Sequence, residues 1–355
     1  MTTDMTSGLA RRRFLVGGAV LGAGTLLAGC TSNEPEDSGE PDGQTGVGQG
    51  DNAAPGQPVT IGFSAPAADH GWIAAITANA NDQAGHYSDV TLNAVEAGED
   101  ATAQRAAIEA LIAQAPDVIV LLPHDGAQLT STGIAAMEAG IPVVNLDREF
   151  SDPLAYRVLI KGDNYGMGVA AGHYIGRRLT EAGVTNPVIG EVAGLDFLPL
   201  TQDRTQGFND ALATYGFEVT NRVAAEFTAA TGQEVTANLL QAAPQIDAIW
   251  NHDDDQGIGV LAAIQQAGRD EFFMVGGAGS RNAMDAIQAD NTVLKATVTY
   301  SPTMASSAIS LARLVAQNKG MGDLVERQVP KLIILASETV TRENVEAYLP
   351  LGFPS

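Results

Sequence analysis

"IPVVNLDREF", residues 141–150, is the stretch that decides the fold. Its first six residues are nearly all apolar, which is how a strand buried on both faces of a parallel sheet reads. Directly behind them stand Asp147 and Arg148. Charges set against a core need a partner or a task, so the end of this strand is also a candidate site.

The same pattern recurs outward in both directions. "VTIGFS" (59–64), "VTLNAV" (90–95), "DVIVLL" (117–122) and "YRVLI" (156–160) read as strands, as do "PVIGEV" (187–192), "FEVTNRV" (217–223), "IDAIW" (246–250), "FFMVG" (272–276) and "LKATVT" (294–299). Helical segments such as 71–85 and 101–114 separate them, and Ala107, Ile108, Leu111 and Ile112 form one apolar stripe. Alternation of apolar strands with helices predicts parallel sheets covered on both faces. Ten or more strands in roughly 300 residues predict two sheets, so the fold class is α/β with two doubly wound parallel-sheet lobes.

The N-terminal segment has a different character. "RRRFLVGGAVLGAGTLLAGC" combines Arg11–Arg13, a short apolar run and Cys30, the only cysteine in the 355 residues. This reads as an export signal over 1–29, with "LAGC" resembling a lipoprotein processing site at Cys30 and "RRRFL" resembling a twin-arginine signal. Residues 31–57 are rich in Gly, Pro and acids and read as a disordered tether, giving a body held by a lipid at the outer face of the membrane. Beyond Cys30 there is no cysteine, so the body relies on its core and not on disulfides. Loss of 1–29 takes the formal charge from −23 to −25, which argues against nucleic acid or anionic lipid as a partner.

Ligands of open parallel sheets bind beyond the carboxyl ends of the strands. Those positions carry Asp69, His70 and Trp72; His124 and Asp125; Asp147 and Arg148; Asp203 and Arg204; and "NHDDD" at 251–255. Phosphate-cradling glycines are missing from the list: "GVGQG" lies in the tether and "GGAG" lacks dinucleotide spacing. The chemistry fits a polar, uncharged, hydroxyl-rich ligand such as a sugar, with carboxylates and guanidiniums on hydroxyls and Trp72 or Phe227 on the C–H face. Each residue also has a structural reading. Asp147–Arg148 could be a local salt bridge, Trp72 core, Asp163 and Asn164 a helix cap at a hinge, and His86 and His173 structural. "HDDD" reads as a solvated loop with no metal, apart from Asp253.

The segments 59–72, 117–129, 140–149, 161–175, 201–212 and 246–268 together resemble the type I periplasmic sugar-binding proteins of the ribose-binding family, which feed ABC transporters. The resemblance implies two lobes joined by a three-segment hinge, a monosaccharide or polyol between them, and closure on binding. It implies an N-terminal lobe of 58–162 plus 301–331 and a C-terminal lobe of 163–300 plus 332–355. By the same resemblance Asp147 and Arg148 hold hydroxyls from one lobe, Arg204 and Asp253 from the other, and Trp72 and Phe227 stack on the ring. Two positions depart from the family: Ala278 stands where a ligand aspartate is expected and Tyr300 where a glutamine is expected, with Asp69 and His70 as replacement contacts. The implied protein is a monomeric receptor without enzymatic activity, cofactor or metal, delivering to a membrane permease. A chemotaxis or sensor receptor and an extracellular glycosidase are the alternatives. The export signal occupies the place where a transcription regulator of this fold would carry its DNA-binding helices.

Overall fold

The computed structural model describes residues 52–98 and 100–355. The segments read from sequence as an export signal, a lipidated Cys30 and a tether up to residue 51 lie outside the described residues. Residues 52–57, which the sequence assigns to the disordered tether, are held in place: the Arg313 guanidinium donates to the carbonyls of Asn52 and Ala54 at 2.5 and 2.7 Å. The same buried arginine pairs with the buried Asp89 at 2.7 Å, and the Gly56 amide donates to that carboxylate at 2.5 Å.

Two six-stranded sheets form the body. The first contains β1 (Val59–Ala65), β2 (Val90–Glu96), β3 (Val118–Leu121), β4 (Val143–Leu146) and β5 (Val158–Gly162). The second contains β6 (Ile189–Ala193), β7 (Asn221–Ala224), β8 (Ala248–Asn251), β9 (Phe273–Ala278) and β10 (Leu294–Thr299). Two further strands, β11 (Leu332–Leu335) and β12 (Thr339–Thr341), complete the edges. The orders are β11-β5-β4-β3-β1-β2 and β12-β10-β9-β8-β6-β7, parallel throughout except where β12 pairs antiparallel with β10. Every residue of β3, β4 and β8 is buried, as expected of strands covered on both faces. The stretch "FEVTNRV" is strand only from Asn221 onward.

Helices α1 (Gly71–Gly85), α2 (Ala101–Ala113), α3 (Gly126–Glu138) and α9 (Met304–Ala316) belong with the first sheet. Helices α4 (Asn164–Glu181), α5 (Pro199–Ala213), α6 (Ala229–Ala242), α7 (Asp254–Ala267), α8 (Arg281–Ala289) and α10 (Val345–Tyr348) belong with the second. On α2, Ile108 and Leu111 are fully buried, a gain of about 2 kcal/mol per side chain. Carboxylates cap the helices that start behind β3, β5 and β8: Asp125, Asp163 and Asp253 accept from the amides of Gln128, Gly166 and Gln256 at 3.1, 2.8 and 3.1 Å. Helices α4 and α5 meet through glycine. A β-carbon at Gly168 would lie 2.1 Å from the Arg204 carbonyl oxygen, so only glycine lets α5 approach α4 this closely.

The chain passes between the lobes after β5, after β10 and after β11. The last passage corrects the boundary read from sequence. Leu332–Leu335 pairs in parallel with Leu159–Gly162 in the first sheet, so the chain leaves that lobe between Leu335 and Thr339, not at 331. Each sheet reverses its strand order, between β1 and β3 and between β6 and β8 respectively. Crevices form outside the carboxyl ends at such switch points.

Candidate functional site

A cavity lies between the two sets of strand ends. The first lobe contributes His70, Trp72, Asp147 and Arg148 to its wall, and the second contributes Leu200, Arg204, Phe227, Asp253 and Ala278; Tyr300 stands at the passage between lobes. Eight of the nine ligand-contact residues nominated from sequence are thus brought together. Asp69 does not line the cavity; it stands behind His70, with Oδ1 2.5 Å from His70 Nδ1. Burial works against a charged His70, yet the Asp69 hydrogen bond and the Asp253, Asp69 and Asp255 carboxylates raise its pKa overall.

Local backbone geometry aims several of these side chains. Six non-glycine residues among those described have φ in the left-handed region, and three of them line the cavity: Asp147 (φ 63°), Phe227 (φ 63°) and Ala278 (φ 89°). Aspartate tolerates this conformation, but phenylalanine and alanine rarely adopt it, and such strain concentrates where a side chain must face a ligand. The Phe227 ring lies directly over Gly194, where a β-carbon would sit 2.0 Å from it.

The polar atoms around the cavity are partly used and partly unused. The Tyr300 hydroxyl donates to Asp147 Oδ1 and accepts from Asn164 Nδ2 at 3.0 Å. Burial holds that phenol well above the ordinary tyrosine value, so it stays a donor. Arg204 donates from Nε to Asn164 Oδ1 at 2.9 Å and from Nη1 to the His252 carbonyl at 3.0 Å, and its guanidinium lies 4.6 Å from the centre of the Tyr300 ring. Arg148 donates from Nη1 to the His124 carbonyl at 2.7 Å, and its buried Nε has no partner among the described residues. Asp253 uses Oδ1 for the α7 amides of Asp255 and Gln256. Among the described residues Asp147 Oδ2, Asp253 Oδ2 and Arg204 Nη2 have no hydrogen-bond partner. The cavity therefore presents free acceptors and free charged donors from both lobes, beside the rings of Trp72, Phe227 and Tyr300.

Asn164, read from sequence as part of a cap at the hinge, orients both Tyr300 and Arg204 from the first turn of α4. Trp72 is both core and wall: it is 5% exposed, packs 5.8 Å from the Tyr300 ring centre and donates from Nε1 to the Tyr300 carbonyl at 2.9 Å. Leu200, on the first turn of α5, escaped the sequence reading because a leucine beside proline carries no chemical signal.

The solvated reading of "HDDD" is corrected. His252 is fully buried and its Nε2 is 2.8 Å from Glu191 Oε1, behind Arg204; Asp253, Asp254 and Asp255 are each 5% exposed. Asp254 accepts from the amides of Gly277, Gly279 and Ser280 at 3.0, 2.9 and 2.8 Å and from the Thr297 hydroxyl at 2.9 Å, tying the end of β9 to β10. Asp255 reaches the other lobe, where it accepts from the Trp72 amide at 2.9 Å. Helix α1 has no side-chain cap of its own at His70, so this carboxylate from α7 caps it across the cleft. Among the described residues no group of three or more His, Cys, Asp or Glu side chains is placed to hold a metal ion. Neither His124 nor Asp203 reaches this cavity; Asp203 is exposed.

Comparison with known proteins gives three findings. The profile described as "Periplasmic binding protein domain" matches residues 61–320. The ribose import binding protein RbsB of Bacillus subtilis is 29% identical over 210 residues, which cover 59% of this chain and 66% of that one. Two solved structures share the fold at 25% identity. The arabinose-transporter binding protein of Shewanella sp. ANA-3, bound to α- and β-L-arabinofuranose, has a TM-score of 0.72 and covers 82% of this chain and 94% of its own. A Mycobacterium smegmatis protein in complex with β-D-fucofuranose has a TM-score of 0.74 and the same coverage, 82% and 94%.

Proposed function

The chain belongs to the periplasmic binding protein family, and from that premise we propose that it is an extracytoplasmic receptor that closes on a neutral monosaccharide or polyol and delivers it to an ABC-type importer, without making or breaking a bond. The observation that carries this reading is the set of free polar atoms around a ring-lined cavity: two carboxylate oxygens and two guanidiniums, drawn from both lobes. A carboxylate or guanidinium engages neighbouring hydroxyls through charge-assisted hydrogen bonds, and an aromatic face covers the C–H face of the sugar. The two acids, Asp147 and Asp253, balance the two arginines, Arg148 and Arg204, and Asp69 offsets His70, which together favours an uncharged ligand.

In this account Asp147, Arg148, His70 and Trp72 hold the ligand from the first lobe, with Asp69 behind His70. Arg204, Phe227 and Asp253 hold it from the second, and Tyr300 braces Asp147 from the passage between lobes. Closure excludes water, which strengthens every one of these contacts. Similarity to receptors of the ribose class, together with the arabinofuranose and fucofuranose held by the two structural neighbours, supports a small sugar and puts furanose-forming aldoses first. A lipid anchor at Cys30 and a monomeric state complete the proposal, with a membrane permease as the partner of the closed form.

The test is a thermal-shift screen of the protein against pentoses, hexoses, deoxy sugars and polyols. A ligand at about a hundred times its dissociation constant adds about 2.7 kcal/mol. That moves the melting point by roughly 5 °C or more for a body this size. One clear rise supports the receptor reading and names the solute. No rise with any sugar or polyol overturns it.

A further inference from the structure

The cleft does not end at the cavity described above. A second chamber lies alongside it and shares three wall residues with it, Asp147, Arg148 and Leu200. Its remaining walls come from both lobes: Asp125, Glu149 and Lys161 on one side, Phe197 and Asp203 on the other. We propose that this outer chamber is a second sugar subsite, taking a neutral glycosyl unit linked to the ring held in the inner cavity. The proposal rests on the sugar-receptor reading and extends it from a monosaccharide to a disaccharide or glycoside.

The first observation is Phe197. It is 54% exposed, while among the described residues every other phenylalanine is buried and no aromatic side chain makes a ring contact with it. The residue before it is anchored twice. The Gln202 side chain donates from Nε2 to the Asp196 carbonyl at 3.0 Å, and Arg222 pairs with the Asp196 carboxylate at 2.5 Å. A phenyl ring held at a cleft wall against the hydrophobic effect is the platform that a sugar face stacks on.

The second observation is the polar complement. Glu149 and Lys161 pair at 2.8 Å, and Asp125 is engaged by the Gln128 amide and side chain, so both present hydrogen-bonding edges that are already neutralised or capped. The Asp203 residue is exposed, and its carboxylate has no hydrogen-bond partner among the described residues. Four acids, Asp125, Asp147, Glu149 and Asp203, face two bases, Arg148 and Lys161. That excess disfavours a phosphate or uronate substituent and suits hydroxyls. Arg148 stands on the wall common to both chambers with its buried Nε free, placed to bond an oxygen that passes between them.

Calorimetric titration tests this with D-ribose, L-arabinose, D-galactose and D-fucose beside arabinobiose, lactose and melibiose, on the wild-type protein and on Phe197→Ala. The proposal expects at least one disaccharide to bind within about tenfold of the best monosaccharide, or more tightly. Phe197→Ala should weaken that disaccharide by roughly tenfold and the monosaccharide by less than about twofold. If monosaccharides bind and every disaccharide is weaker by more than about tenfold, the outer chamber is only the mouth of the cleft and the inference fails while the receptor reading stands. A Phe197→Ala variant that weakens both ligands alike also overturns it. If no sugar of either kind binds, the receptor reading itself has failed.

Discussion

The ends of β4 and β8 carry similar-looking charge and use it differently. Behind β4, Asp147 and Arg148 both face the cavity. Behind β8, four consecutive titratable residues point four ways. His252 goes under Arg204 to Glu191, Asp253 to the cavity, Asp254 into the loops of its own lobe and Asp255 across to α1. The cause is the change of backbone there: His252 and Asp253 precede the helix, Asp253 as its extended N-cap, while Asp254 and Asp255 are its first two residues and are turned by about 100° from each other. Charge density in the sequence therefore marks the region, and backbone geometry assigns each residue its work.

The sharpest way to break this comparison is Asp254→Ala. It leaves three backbone amides and a hydroxyl buried without their acceptor, which should lower the unfolding free energy by about 3–5 kcal/mol. Chemical denaturation reads the effect, and a loss under about 1 kcal/mol would mean that the end of β9 is held by something else. Asp255→Ala should act on closure instead. Removal of the cap that α7 lends to α1 should weaken sugar binding about five- to tenfold, with little change in the unfolding of either lobe. Equal affinity in a titration would remove the cross-lobe bond from the closing mechanism.

The smallest effect separates Asp253 from its neighbours by pH. Burial pushes its carboxyl up to about 6; the Asp255 carboxylate adds to this, and the facing His70 and Arg204 oppose it. The folded protein thus holds this proton more tightly than the unfolded chain. Its contribution to stability is full below about pH 4 and is lost as pH rises through about 6. Sugar binding has the opposite sign, because the ionised carboxylate is the stronger acceptor. Affinity should fall by roughly threefold from pH 7 to pH 5, and Asp253→Asn, which keeps the helix cap, should flatten that slope. A slope unchanged in the variant would transfer the titration to another group.

Much of the fold was legible because the central strands of both sheets are buried on both faces and so read as apolar runs. The C-terminal edge strands β11 and β12 were not. Leu332–Leu335 is a short run whose sheet is chosen by pairing with Leu159–Gly162, a contact that no local pattern encodes. At the site, the strand-end rule brought out the charged and aromatic residues that surround the cavity. It could not distinguish Asp69, which supports His70, from residues on the wall itself. The cross-lobe roles of Asp255 and Tyr300 depend on how the lobes meet, and the left-handed backbone at Phe227 and Ala278 has no signature in residue type. Residues 52–57 look like tether by composition, yet Arg313, far away in sequence, holds them.

The central claim is that one ligand is gripped by both lobes. Its most direct test is titration calorimetry of Arg148→Ala and Arg204→Ala with the sugar that gives the largest thermal shift. Each variant removes a charged donor from one side of the cleft and should weaken binding by about thirtyfold, close to 2 kcal/mol. Wild-type affinity in either variant would leave the ligand held by a single lobe and contradict the account.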